Sequence, residues 1–220
     1  MSSDRFEVEG QQLTMLPERA LLWQQRAILV VADVHFGKAA AFRASGVPVP
    51  HGTTRANLDA LDALVARHRV RHIVFLGDFL HARAGRAPAT MAELAQWRAR
   101  HAWLELTLVR GNHDLHAGDP PAALGMRIVD EPWHLGPLAL CHHPRQLPGA
   151  FVLAGHVHPV YRLAAAGDAL RLPCFVVDRH GALLPAFGAF TGGYQVTPQA
   201  GQRLYLVADD RILPLPALPA

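Results

Sequence analysis

Cysteine is nearly missing from this chain, which holds two in 220 residues, Cys141 and Cys174. That number excludes a disulfide framework, and the lack of any paired spacing excludes a cysteine-ligated zinc module. Cys141 is expected to pack as a small hydrophobe beside His142. Long apolar runs are lacking too: none approaches the roughly 20 residues of a membrane span. Met1-Ser2-Ser3-Asp4 opens no secretory leader, so a cytoplasmic protein without membrane association is predicted. There is no internal repeat and no low-complexity segment. Charge of either sign is scarce in excess: 21 Lys and Arg against 18 Asp and Glu leave +3. The resulting pI near 9.3 is compatible with a nucleic-acid partner without requiring one.

What is present is a hydrophobic content of 50% in 220 residues, enough to bury one substantial core. A single domain over 1–220 is expected, with a ligand-bearing core at about 27–160 and further sheet strands and a tail at 161–220. Within it, five short polar blocks each follow an apolar, β-branched run. Ala27–Ala32 leads to Asp33-Val34-His35, His72–Leu76 to Gly77-Asp78, and Leu104–Val109 to Gly111-Asn112-His113-Asp114. Leu138–Leu140 leads to Cys141-His142-His143, and Phe151–Ala154 to Gly155-His156-Val157-His158. Continuous apolar runs of this length read as buried strands, and open α/β sheets bind ligands beyond the carboxyl ends of their strands. If the backbone stays extended, Asp33 and His35, two apart, face one point, and His156 with His158 repeats the device.

Carboxylate, carboxamide and imidazole donors without thiolate suit Mn²⁺, Fe²⁺ or Zn²⁺ and disfavour an all-oxygen Ca²⁺ cage. Two such ions, roughly 3.5–4 Å apart, lower the pKa of a shared water and neutralise charge on an attacked phosphate. Asp78, alone in its block and followed by apolar Phe79-Leu80, is the candidate bridging ligand. Asn112 would ligate through its carboxamide oxygen without adding negative charge to repel an anionic phosphoester. His113 beside it stays free to donate a proton. A lone Asp-x-His is weak, because Asp after a strand is often a turn or cap residue. Five blocks in order are strong.

These blocks resemble the calcineurin-like metallophosphoesterases, whose pattern of D-x-H, G-D, G-N-H-D/E, H and G-H-x-H is complete between about Ile28 and His158. The resemblance implies one metal on Asp33, His35, Asp78 and His158, the other on Asp78, Asn112, His142 and His156, and His113 as general acid. Gly77-Asp78-Phe79-Leu80-His81, Cys141-His142-His143-Pro144 and Leu184 through Gly193 look further like the ligase-associated DNA damage response endonucleases of the PdeM type. That likeness covers nearly the whole chain. It implies Mn²⁺ dependence, action on DNA in repair, and association with an ATP-dependent DNA ligase and a helicase. His143 stands where many members carry Gly, which leaves His142 and His143 both open as ligands; His142, nearer the strand, is favoured.

The remainder reads as scaffold. A helix after Thr53-Thr54 carries Leu58, Leu61, Leu64 and Val65 on one stripe and should cover the first sheet. Thr90-Met91-Ala92-Glu93 reads as a capping box opening a second helix, with Leu94 and Trp97 on its face. Phe175–Val177 and Arg203–Val207, with turns at Gly167-Asp168 and Gly192-Gly193, predict strands of a second sheet. Leu213 to Pro219 reads as a frayed tail. Helices outside two mixed sheets give an α/β, four-layer αββα sandwich, the fold the resemblance also implies.

Around the site, Phe36 to Pro50 reads as a Gly/Pro-punctuated loop whose Lys38 and Arg43 are candidate phosphate clamps. Arg83, Arg86 and Arg145 would add positive potential. His81 and His143 are candidates to face substrate, and Asp114 to orient a neighbour. Phe36 or Phe42 could stack on bases if the cations continued as a groove. The reading is a two-metal phosphodiesterase cutting single-stranded or structured DNA internally. The alternatives are a small-metabolite or nucleotide phosphodiesterase or phosphatase and, last, a non-catalytic scaffold.

Overall fold

The apolar run Ile28–Ala32 becomes a fully buried strand, and everything at the site is arranged around its end. The computed structural model describes residues 4–165 and 168–216. Its first sheet has seven strands in chain order: β1 (Arg5–Val8), β2 (Gln11–Leu16), β3 (Ala20–Trp23), β4 (Ile28–Ala32), β5 (His72–Leu76), β6 (Glu105–Val109) and β7 (Arg127–Val129). The first three pairings are antiparallel hairpins, and β4 to β7 run parallel. Parallel neighbours need crossovers. These are supplied by α1 (Lys38–Ala44) and α2 (Thr53–His68) between β4 and β5, α3 (Pro88–Arg100) between β5 and β6, and α4 (Asn112–Ala117) after β6.

The second sheet is built from β8 (Trp133–Leu135), β9 (Leu138–Leu140), β10 (Phe151–Ala154), β11 (Pro159–Ala165), β12 (Asp168–Val177), β13 (Gly181–Leu183), β14 (Tyr194–Gln195), β15 (Arg203–Ala208) and β16 (Arg211–Pro214). Its spatial order is β14-β11-β12-β13-β10-β9-β8, with β15 and β16 added beside β12. It is mixed as well: β9, β10 and β13 are parallel, while β11, β12 and β15 are antiparallel.

Alternation of side chains divides the core. Leu29, Val31, Ile73 and Phe75 face α2 and α3, meeting Leu58, Leu61, Leu64, Leu94 and Trp97. Val30, Ala32, Val74 and Leu76 face the other way and meet Leu140, Leu153, Phe175 and Leu184 of the second sheet. Each fully buried leucine contributes about 1.5–3 kcal/mol over an exposed one. The result is two mixed sheets flanked by helices. Among the described residues the helices gather on the first sheet, and the outer face of the second is covered by Leu147, Ala150, Tyr161, Val196 and Leu215. No helix of the described residues is long and apolar enough to cross a membrane.

Several local expectations are corrected. The Phe36 to Pro50 stretch holds a helix, α1, because Lys38–Ala44 is mostly alanine with two long cationic side chains, good helix formers between two left-handed glycines. Thr90 caps nothing: α3 begins at Pro88, whose fixed φ suits the first helical position, and Thr90 is buried inside the helix. Leu213 and Pro214 belong to β16, paired with Leu206 and Tyr205, so the tail is ordered that far; residues 217–219 lie outside the described residues, as does Gly167.

Candidate metal centre

Three of the five ligand-bearing blocks, those of Asp33, Asp78 and His156, turn by left-handed residues rather than by continued extension. Asp33 (φ 55°), His35 (φ 49°), Asp78 (φ 52°), His156 (φ 69°) and His158 (φ 51°) are five of ten non-glycine residues with positive φ among those described. Such conformations cost about 1–3 kcal/mol each and gather at functional sites. Asp33 and His35 therefore converge by two left-handed turns around Val34, which is anchored in the helix-facing core at 1% exposure. The extended-backbone expectation is replaced on this point.

The loops are zipped together. His35 N–H donates to Asp78 O at 2.9 Å and Phe36 N–H to Phe79 O at 2.8 Å, fixing the first block against the second. Asp33 Oδ2 accepts from His156 N–H at 2.8 Å, tying the first sheet to the second. Asp114 reaches back over the start of α4, accepting Gly111 N–H on Oδ2 and Phe79 and Leu80 N–H on Oδ1. Burial raises its carboxyl to about 6 against those hydrogen bonds. Gly77 makes the close approach possible: its φ is +75° and a Cβ there would overlap the His142 ring.

Ring orientations follow from carbonyl partners. A carbonyl only accepts, so the ring nitrogen facing it carries the proton and the other nitrogen is free. His142 Nδ1 donates to Leu76 O at 3.0 Å, His158 Nδ1 to Gly192 O at 3.1 Å, and His113 Nδ1 to His81 O at 2.7 Å. The free Nε2 of His158 lies 3.4 Å from His35 Nε2 and 3.4 Å from Asp33 Oδ1. On the other side His142 Nε2 is 2.9 Å from Asn112 Oδ1 and 3.1 Å from His156 Nδ1. Asp78 stands between, with Oδ2 3.7 Å from His35 Nε2 and Oδ1 3.5 Å from His142 Nε2. Thus all seven predicted ligand residues meet at one place, with Asp78 between the His35 side and the His142 side.

Electrostatics suit a cation. Burial, and then the charges of His158, Lys38, His113 and His81, hold His35 down to about 2, so its ring is neutral and able to ligate. Burial lowers His142 as well. Burial and the neighbouring Asp33 raise Asp78, the signature of two carboxylates packed without a counter-charge. Asp33 Oδ1 is buried with no hydrogen-bond partner. Groups Asp33-His35-His158 and Asp33-Asp78-His142 bring donor atoms within 4.8 Å of one another. The donor set fits divalent ions.

His143 stays beside His142 and His156, with a donor atom within 4.8 Å of theirs, while its Nδ1 is committed to Glu131. The Glu131 carboxylate accepts His142 N–H, His143 N–H, His143 Nδ1–H and an Arg145 N–H. Against burial, the His143 and His142 hydrogen bonds and the Arg145 charge lower Glu131. No motif announced this residue, which lies in the β7–β8 turn. Asn57 was missed as well: it donates to Val34 O and accepts Ala189 N–H, joining α2, the first ligand loop and the late Leu184–Gly193 segment. Lys38 opens α1, and burial lowers it against the pull of Asp78 and Asp33. Arg43 donates to Val49 O and Pro50 O, and Arg83 and Arg86 to carbonyls at the end of α4, so these guanidinium groups brace loops. His81 stacks on His113 with ring centroids 5.0 Å apart. Phe36 is buried at 1% exposure and offers no stacking face, whereas Phe42 is half-buried.

Two mixed sheets delivering two carboxylates, a carboxamide and four imidazoles to one point define a metal-dependent phosphoester hydrolase. The profile of the calcineurin-like phosphoesterases matches residues 26–136, and the chain belongs to that family. It is similar to a solved structure, the Pseudomonas putida nuclease MPE, with 51% identity over 96% of this chain and 98% of that one and a TM-score of 0.86. The phosphoesterase Yfce from E. coli is 18% identical over 84% and 96% of the two chains, with a TM-score of 0.42; nothing rests on so distant a likeness. No curated protein matches the chain significantly.

Proposed function

We propose that this protein is a Mn²⁺-dependent DNA endonuclease that cuts single-stranded or structured DNA during repair. The observation that carries the reading is Asp78 set between His35 on one side and His142 on the other, in a chain 51% identical to a nuclease over 96% of its length. Asp33, His35, Asp78 and His158 would hold one ion, and Asp78, Asn112, His142 and His156 the other. Bound there, divalent ions supply water activation and neutralisation of phosphate charge. Asn112 adds a ligand without adding repulsion to the anionic diester. Lys38, at the start of α1 directly after the first ligand block, would bring an ammonium to the phosphate. His113, its Nδ1–H committed to His81 O and its side chain 38% exposed, presents Nε2, which in the imidazolium form would pass its proton to the leaving oxygen and leave the ring neutral. His156 is exposed at the same rim, an open setting that supports a polymer over a small enclosed substrate. The PdeM-type resemblance supports a place beside an ATP-dependent DNA ligase and a helicase.

The test is cleavage of circular single-stranded DNA by metal-stripped protein, with Mn²⁺, Mg²⁺ or Zn²⁺ added back and Asp78→Ala in parallel. Linear products from wild type with Mn²⁺, and none from Asp78→Ala, support the reading. An intact circle while a small diester is hydrolysed in the same tubes moves the substrate to a small molecule.

A further inference from the structure

Two sets of aromatic side chains near the centre differ in their exposure to solvent. Phe36, Phe75 and Phe79 pack edge to face in the helix-facing core, all at 3% exposure or less. The other set begins at the centre and stays partly open to solvent. His113 stacks on His81 at 5.0 Å and 22°, His81 lies 6.0 Å from Phe42, and Phe42 meets Phe190 edge to face at 5.6 Å. All four are half-buried. Lys38, four residues before Phe42 on the same face of α1, puts its ammonium 6.0 Å from that ring, so the strip has a cation along its metal-side border.

Both phenylalanines are carried by segments bolted to proposed ligands. The first N–H of α1, that of Lys38, donates to His35 O at 3.1 Å. Phe190 follows Phe187 and Gly188, whose N–H groups donate to Ala32 O and Asp33 O, and precedes Gly192, whose carbonyl holds His158. The rings are thus placed relative to the phosphate-handling atoms rather than on a free loop. Every base has a π face, so flat rings beside a backbone-binding cation are how single strands are held without sequence preference.

Resting on the nuclease reading above, we infer that Phe42 and Phe190 form a stacking subsite for the unpaired base next to the scissile phosphate. Lys38 holds the intervening backbone charge, and His81 is the ring that joins the subsite to His113. The subsite selects unstacked bases, because a base still paired in a duplex does not offer its face.

The experiment pairs enzyme rings with substrate bases. Wild type, Phe42→Ala, Phe42→Leu, Phe42→Trp and Phe190→Ala are assayed with Mn²⁺ on two single-stranded oligonucleotides of equal length, one of thymidines and one of stable abasic residues. Phe42→Leu keeps apolar bulk if the alanine variant fails to fold. The expected result is a loss of about 5- to 150-fold in kcat/KM on the thymidine strand for Phe42→Ala and Phe42→Leu, a smaller loss for Phe190→Ala, retention in Phe42→Trp, and no change on the abasic strand. Equal losses on both strands overturn the subsite and make the rings packing groups only. A wild type that cleaves neither strand while hydrolysing a small diester overturns the nuclease reading, and the subsite with it.

Discussion

Asp33 and His156 are joined across the two sheets: Asp33 Oδ2 accepts the His156 N–H at 2.8 Å, which leaves Asp33 Oδ1 buried and unpartnered beside His158. One oxygen is spent on architecture and the other is left for a cation. Asp33→Asn separates the two roles, since the amide oxygen still accepts from His156 but carries no charge. At an ion concentration about 100 times its Kd, wild type should gain about 2.7 kcal/mol of stability from binding. Thermal melts should show that gain largely gone in Asp33→Asn, while the metal-free variant melts no lower than wild type because one of two adjacent buried carboxylates has been neutralised. An equal metal-induced rise in both would remove Oδ1 from the ligand set.

Gly77 lies against the His142 ring with φ +75°, and a methyl group there overlaps the ring. Gly77→Ala is therefore a ligand-displacing change made without touching a ligand. The metal affinity of the centre should fall about 10- to 100-fold, the usual scale for groups that orient a ligand. Isothermal titration with Mn²⁺ reads this directly, and unchanged affinity would mean the ring does not ligate from its observed position.

How the site could be read beforehand follows from the same contacts. The five polar blocks were visible because each follows an apolar run, and side-chain identity at strand ends is local information. The stripe Leu58, Leu61, Leu64 and Val65 was visible for the same reason, by its helical period. Hidden were the backbone choices: five left-handed ligand residues look no different in sequence from extended ones. Carbonyl partners were hidden as well, since Leu76, His81 and Gly192 fix three histidine rings through atoms every residue carries. Glu131 was missed because a lone glutamate in a turn has no spacing to betray it. The helix α1 was missed because flanking Gly and Pro drew the eye from the alanine run between them.

Glu131 binds four donors, two of them the N–H groups of His142 and His143. Glu131→Ala strands those donors and should cost about 1–3 kcal/mol, the price of leaving part-buried groups unsatisfied. Glu131→Gln keeps an acceptor oxygen and should recover most of that loss in urea titrations. If the two variants unfold at the same urea concentration as wild type, the carboxylate is not bracing the fourth block.

His113 has its Nδ1–H held by His81 O at 2.7 Å, so only Nε2 is available to the reaction. Removing the ring by His113→Ala should slow cleavage of a DNA diester by about 10²- to 10⁴-fold, the range for loss of a general acid. A p-nitrophenolate leaves without needing a proton, so the same variant should lose far less on a p-nitrophenyl diester. The loss should therefore depend on the leaving group, which a purely structural role for the ring does not predict. Equal losses on both substrates would assign His113 to positioning, through its stack on His81 and its Nδ1–H bond to His81 O, and would leave the leaving oxygen to be protonated by solvent.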